Sequence, residues 1–164
     1  PHISLIKGIN FFNQKNFDDA LFEFEQHLEF DSCAENLDSI YYVIMILFRK
    51  KSYDKILHLI ESQKVNIMTC PIHSLLLNHI QNIISNQNQK SLLSIYSQFS
   101  DDIQSLENLN DKKYGLFLYY ILITLYQEHV DSEQAINIQN EAINLIKMCE
   151  SSISGFLLKG DGYL

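Results

Sequence analysis

The sequence predicts an all-helical protein, and three observations carry that expectation. The 164-residue chain holds only five Gly and two Pro, too few for the turns of a sheet-rich fold. Apolar residues recur at three- and four-residue spacing along most of its length. The segments so marked are joined by brief polar connections (14–16, 51–52, 86–89 and 128–131), which oblige successive helices to run antiparallel as neighbours.

Helices are predicted over residues 2–14, 17–30, 36–50, 53–64, 72–86, 90–100, 114–128 and 132–149, grouping into four hairpins. In the first, Gly8 and Ala20 leave room for the two backbones to approach, while Phe11, Phe17 and Phe24 fill the space on either side. The second carries Ile40, Val43, Ile44 and Leu47 on its leading helix and Tyr53, Ile56, Leu57 and Ile60 on the next, with Tyr53 following Phe17 by 36 residues. The third, Leu77, Ile80 and Ile84 followed by Leu92, Leu93 and Tyr96, keeps the spacing without the small residues. The fourth, Tyr119, Leu122, Ile123 and Tyr126 followed by Ala135, Ile136, Ala142, Ile143 and Leu145, recovers two alanines on one helical face. Alanine occurs only four times in the chain, so its presence at these small-residue positions is informative. Residues 100–113 form a longer polar connection that either extends the preceding helix or makes a short extra one. Phe156, Leu157 and Leu158 open what reads as the start of a further repeat or a capping segment over 150–164. Its apolar face calls for continuation of the chain, self-association or cover by another protein.

The pattern Gly8-x-x-Phe11, then Phe17-x-x-Ala20-Leu21-x-x-Phe24-x-x-x-Leu28, resembles one tetratricopeptide repeat, and residues 116–145 match a second time. Ser4, Lys7 and His27 depart from that pattern. The resemblance implies an α-solenoid of about four antiparallel helix hairpins in a right-handed superhelix. It would occupy residues 1–164 as a single domain, with repeats at about 2–31, 36–64, 72–100 and 114–149. In such solenoids the leading helices line a concave groove. Carried onto this chain, the groove residues are Leu5, Ile9, Phe12 and Asn13; Tyr41, Met45, Phe48 and Arg49; Asn78 and Asn82; and Tyr120 and Thr124. Aromatic and Met anchors beside amides suit a peptide or an amphipathic helix of a partner protein. The implied role is non-catalytic: a scaffold or adaptor in an intracellular assembly. Leu5 and Ile9 stand where repeats that clamp acidic chaperone tails carry Lys and Asn, which argues against that subtype. Two rivals are a peptide-sensing domain that relays to a separate effector domain, and a helical-bundle enzyme with a central cavity.

Composition narrows the partners further. A net charge of −8 and a pI near 5.1 predict no general attraction to nucleic acid or anionic membranes. The basic run Arg49, Lys50 and Lys51 reads as a solvated helix end, where cations are favoured. The longest apolar runs, 41–48 and 116–126, fall short of the roughly 20 residues that span a bilayer. Cys33, Cys70 and Cys149 are odd in number and far apart, which predicts free thiols in a reducing, cytoplasmic setting. No phosphate loop, dinucleotide turn, nucleophile elbow or zinc-type His-Glu-x-x-His is present. Cys70 and His73 are too few for a tetrahedral metal site, and His27 and His58 read as packing residues. Asp18, Asp19, Asp101 and Asp102 read as charges at helix starts. No catalytic residue, metal or cofactor is predicted.

Overall fold

The computed structural model describes residues 2–30, 37–67, 70–128 and 132–148. Apart from short turns and connections these residues are helical, and they include no strand. In chain order the helices are α1 (His2–Asn13), α2 (Phe17–Phe30), α3 (Leu37–Arg49), α4 (Tyr53–Ile67), α5 (Pro71–Ser85), α6 (Gln89–Ser105), α7 (Leu109–Lys112), α8 (Gly115–Glu128) and α9 (Ser132–Met148). The sequence expectation for an all-α chain holds, and seven of its eight helix ranges agree to within three residues at either end. The exception is α6, which runs five residues past the predicted end at 100. Its buried stripe, Leu92, Tyr96, Phe99 and Ile103, continues at helical spacing past Asp101 and Asp102, which lie near the end of α6 and not at a helix start as expected. The connection at 100–113 therefore contains both an extension and the single turn α7, started by Asn108, whose side chain accepts from the Asn110 N–H at 2.8 Å. Cys33, Cys149 and the segment 150–164 lie outside the described residues. No helix among the described residues is long and apolar enough to cross a membrane.

Contacts divide the chain into two compact units, Pro1–Ser74 and Leu75–Leu164. In the first, α1 and α2 form the closest helix pair. A Cβ added to Gly8 would lie 2.6 Å from the ring of Phe24, so only glycine lets that ring lie against the α1 backbone. Ala20 is fully buried on the facing helix. Phe24 stacks on Tyr42 at a centroid distance of 4.8 Å, and Phe12 meets both Phe17 (5.5 Å) and Tyr42 (5.0 Å) edge-on. Helix α3 is buried on nearly every side, as its apolar circumference requires.

The two hairpins of this unit end their leading helices in the same way. Lys15 and Lys51 both adopt left-handed backbone, with φ of 62° and 57°. The Lys15 N–H donates to Phe12 O and the Asn16 N–H to Phe11 O; the Lys51 N–H donates to Phe48 O and the Ser52 N–H to Leu47 O. This is the paired-bond termination that satisfies the last carbonyls of a helix. The ring pair Phe12–Phe17 is repeated by Phe48–Tyr53 at 6.0 Å. Each correspondence spans 36 residues, so the aromatic match between Phe17 and Tyr53 extends to the backbone. The basic run beside the second turn is not simply solvated. Arg49 lies 4.5 Å over the Phe17 ring, Lys50 pairs with Asp18, and Lys51 supplies the left-handed residue.

In the second unit α8 is the buried centre, packed on α9, α6 and α7. Gly115 admits Ile103, whose Cδ1 would lie 2.9 Å from an added Cβ. Ala135 and Ala142 are buried on α9, and Phe99 meets Tyr119 edge-on at 5.0 Å.

Candidate functional site

An open cleft of about 380 Å³ lies beside α3 in the first unit. Its formation follows from the packing: α2 and α4 each rest on α3, and their outer faces stand apart above it. Leu21, Glu25 and Leu28 are spaced i, i+4 and i+7 and form the α2 wall. Val43 and Leu47 of α3 make the floor. Lys55, His58, Leu59 and Ser62 repeat the helical spacing along the α4 wall, with Asp54 at its start, where the helix dipole favours an acid. The base is thus aliphatic, and the rim carries two carboxylates, an ammonium, an imidazole and a hydroxyl. The Ser62 hydroxyl donates to Leu59 O at 2.8 Å. A surface of this composition can bury apolar side chains while hydrogen bonding and charge at the edge set their register.

The groove set drawn from the leading helices is differently placed. Phe12, Tyr41, Met45 and Phe48 of the first unit are buried, as is Tyr120 of the second. Phe12 belongs to the aromatic cluster with Phe17 and Tyr42, and Phe48 packs on Tyr53. Tyr41 is hydrogen-bonded through its hydroxyl to His73 Nδ1 at 2.9 Å. The physical reason is that α3 and α8 are apolar all round, so neither leaves a face for solvent. Leu5, Ile9, Arg49 and Thr124 are half-buried; the Thr124 hydroxyl donates to Tyr120 O at 2.9 Å. Asn13, Asn78 and Asn82 are exposed. The members accessible to a partner are therefore chiefly amides, and the aromatic anchors lie inside. The cleft was missed because its walls belong to second helices. Its signal was present in the Leu21, Leu28 and Leu59 positions, which are apolar but lie off the most buried stripe.

Buried polar groups form three further clusters. In the second unit the Tyr96 hydroxyl donates to Glu141 Oε1 at 2.6 Å; the Ser100 and Tyr119 hydroxyls donate to Oε2 at 3.1 and 3.3 Å. Burial raises the ionisation of Tyr96 and Tyr119 well above the ordinary phenol range, and the Glu141 carboxylate raises it further. A carboxylate taking three donors from α6 and α8 ties α9 to both helices. His79 Nε2 meets Asp102 Oδ2 at 2.8 Å while its ring stands edge-on to Phe99. His27, expected as a packing residue, is buried and hydrogen-bonded through Nδ1 to Ser39 Oγ at 2.7 Å; His58 is exposed at the cleft rim. Among the described residues no three His, Cys, Asp or Glu side chains are arranged to hold a metal ion. Cys70 is a half-buried free thiol.

No family model, no curated protein and no solved structure matches this chain.

Proposed function

We propose that the protein is a non-catalytic protein-interaction module of the tetratricopeptide-like α-solenoid class, serving as a scaffold or adaptor. A partner's amphipathic helix or extended segment docks in the cleft of the first unit. The observation that carries this reading is the aliphatic cleft over Val43 and Leu47 with its charged rim. Its open form favours a chain segment over an enclosed small molecule. The 36-residue correspondence of the first two hairpins supports the repeat class. The polar clusters around Glu141 and His79 are explained by helix packing and call for no reaction.

Site-specific photocrosslinking tests the reading. A benzoylphenylalanine at His58, on the cleft rim, is expected to crosslink a discrete protein partner in cells. The same group at Asn137, exposed on α9, is expected to give little. Leu59→Ser should remove the crosslink from position 58 without changing the helical circular dichroism signal. Equal yields from both positions, or none from either, count against the cleft as a docking site.

A further inference from the structure

The charges bordering the cleft select among the segments that could dock there. On the α2 side they have one sign. Helix α2 carries the acids Asp18, Asp19, Glu23, Glu25 and Glu29 and no Lys or Arg. Glu25 lies in the cleft wall, and Glu29 stands one helical turn beyond it, exposed. On the α4 side Asp54 and Glu61 offset Lys55 and Lys64, so that wall is close to neutral. The acids also differ in how they are held. Asp18 pairs with Lys50, Asp19 accepts from Asn16, and Glu61 pairs with Lys64. Glu25, Glu29 and Asp54 are exposed and take no hydrogen bond or ion pair from another described residue; Lys55, on the α4 wall, pairs with none of them. A segment entering the cleft therefore meets open carboxylates before its apolar side chains reach Val43 and Leu47.

We infer that the docked segment is a cationic amphipathic helix of the partner. Its aliphatic residues, at i, i+4 and i+7, seat among Leu21, Leu28 and Leu59, and its Lys or Arg residues lie on the flank that faces α2. This rests on the cleft being the docking site proposed above. Charge complementarity separates that helix from the occupants that residues 1–164 would supply themselves. A second copy brings a net charge of −8 to an acidic wall. The segments 31–36 and 149–164 are not basic either: Asp31 and Glu35 stand against no base in the first, and Glu150 and Asp161 against Lys159 in the second. Like charges across the cleft mouth oppose docking, whereas opposite charges speed encounter and fix the register of the helix.

Two synthetic helical peptides are the probes. Both carry leucine at i, i+4 and i+7 in a background of alanine and glutamine; one has lysines along a flank of that stripe, and the other has glutamates at the same positions. Fluorescence anisotropy follows their binding to the full chain. The lysine peptide is expected to bind about tenfold tighter or more at low salt, and the ratio should fall towards one as sodium chloride approaches ~1 M. Glu25→Lys with Glu29→Lys should reverse the preference. Both side chains are exposed, so the helical circular dichroism signal should not change. Leu59→Ser should weaken both peptides, which ties the preference to the cleft. If the two peptides bind equally and Leu59→Ser weakens both, the inference is overturned while the docking reading stands. A preference for the glutamate peptide also overturns it. So does a lysine preference undiminished by Leu59→Ser, which would place binding on the acidic surface outside the cleft. Binding of neither peptide counts against the cationic helix and the cleft together. A dimer in sedimentation runs that Leu59→Ser dissolves would put a second copy in the cleft and overturn the assignment.

Discussion

In Pro1–Ser74 two hairpins share one turn, one ring pair and one register, and the contacts between them are mainly ring packing, with one buried hydrogen bond from His27 to Ser39 and two cation contacts at the edge. In Leu75–Leu164 the connection from α5 to α6 is started instead by Asn88, whose side chain accepts from the Ser91 N–H at 2.9 Å. There α6, α8 and α9 converge on the carboxylate of Glu141. The difference separates two ways of fixing helices. Apolar packing at a repeated spacing is non-directional and can be extended, and beside it lies an open cleft. A buried network with its donors matched to its acceptors is directional and closed, and it offers a partner nothing to satisfy. The cleft proposed above as a docking site accordingly lies in the first unit.

The largest expected effect comes from breaking the closed network. Glu141→Ala strands the Tyr119 and Tyr96 hydroxyls at buried positions, and a loss of about 3 kcal/mol is expected from the cost of such unsatisfied groups. Urea denaturation followed by circular dichroism measures it. A loss under about 1 kcal/mol would show that packing alone holds α9. The same network gives an alkaline signature. Tyr96 and Tyr119 keep their protons in the folded protein to a higher pH than in the unfolded chain, where a tyrosine ionises near ~10. The folded state then binds more protons, so its stability is complete below about pH 10 and falls as the pH rises beyond it. Tyr96→Phe with Tyr119→Phe should flatten that decline in melting temperatures recorded from pH 9 upward.

A smaller loss is expected in the first unit, where the two hairpins differ in closeness. Gly8 and Ala20 correspond to Ile44 and Ile56, and α3 and α4 approach each other far less closely than α1 and α2. Ala20→Leu should overpack the first hairpin and cost about 1–3 kcal/mol, read from the same urea titration. An unchanged midpoint would remove the packing basis of the comparison, since it would mean that the small residues do not set the helix separation.

These contrasts also explain what the sequence made legible. The helices, the small-residue contact and the 36-residue recurrence of Phe17 at Tyr53 could be read because each depends on spacing along the chain. The end of α6 could not, because two adjacent acids masked a buried stripe whose last member, Ile103, lies beyond them. The orientation of Tyr41, Met45 and Phe48 was beyond reach for a related reason. A helix that is apolar on every side carries no pattern to say which face is covered. Glu141 resembled any surface acid on α9 until the tyrosines of α6 and α8 were placed beside it, and the cleft walls depend in the same way on how α2 and α4 diverge over α3.

The smallest expected effect is also the sharpest test of the repeat within the first unit. Lys15 and Lys51 hold left-handed backbone that a side chain disfavours, and each closes its helix through the same pair of backbone bonds. Lys15→Gly and Lys51→Gly should therefore each stabilise the protein by about 0.5–1 kcal/mol, the strain relieved outweighing the freedom that glycine adds to the unfolded chain. Lys51 lies beside Lys50, whose pairing with Asp18 is at the surface and contributes little, so charge should not separate the two variants. If the turns are equivalent, the two gains agree within about 0.3 kcal/mol and add in the double variant. A gain at one turn and a loss at the other would show that the matching angles arise from different local forces, and the hairpins would then be alike in form without being copies of one unit.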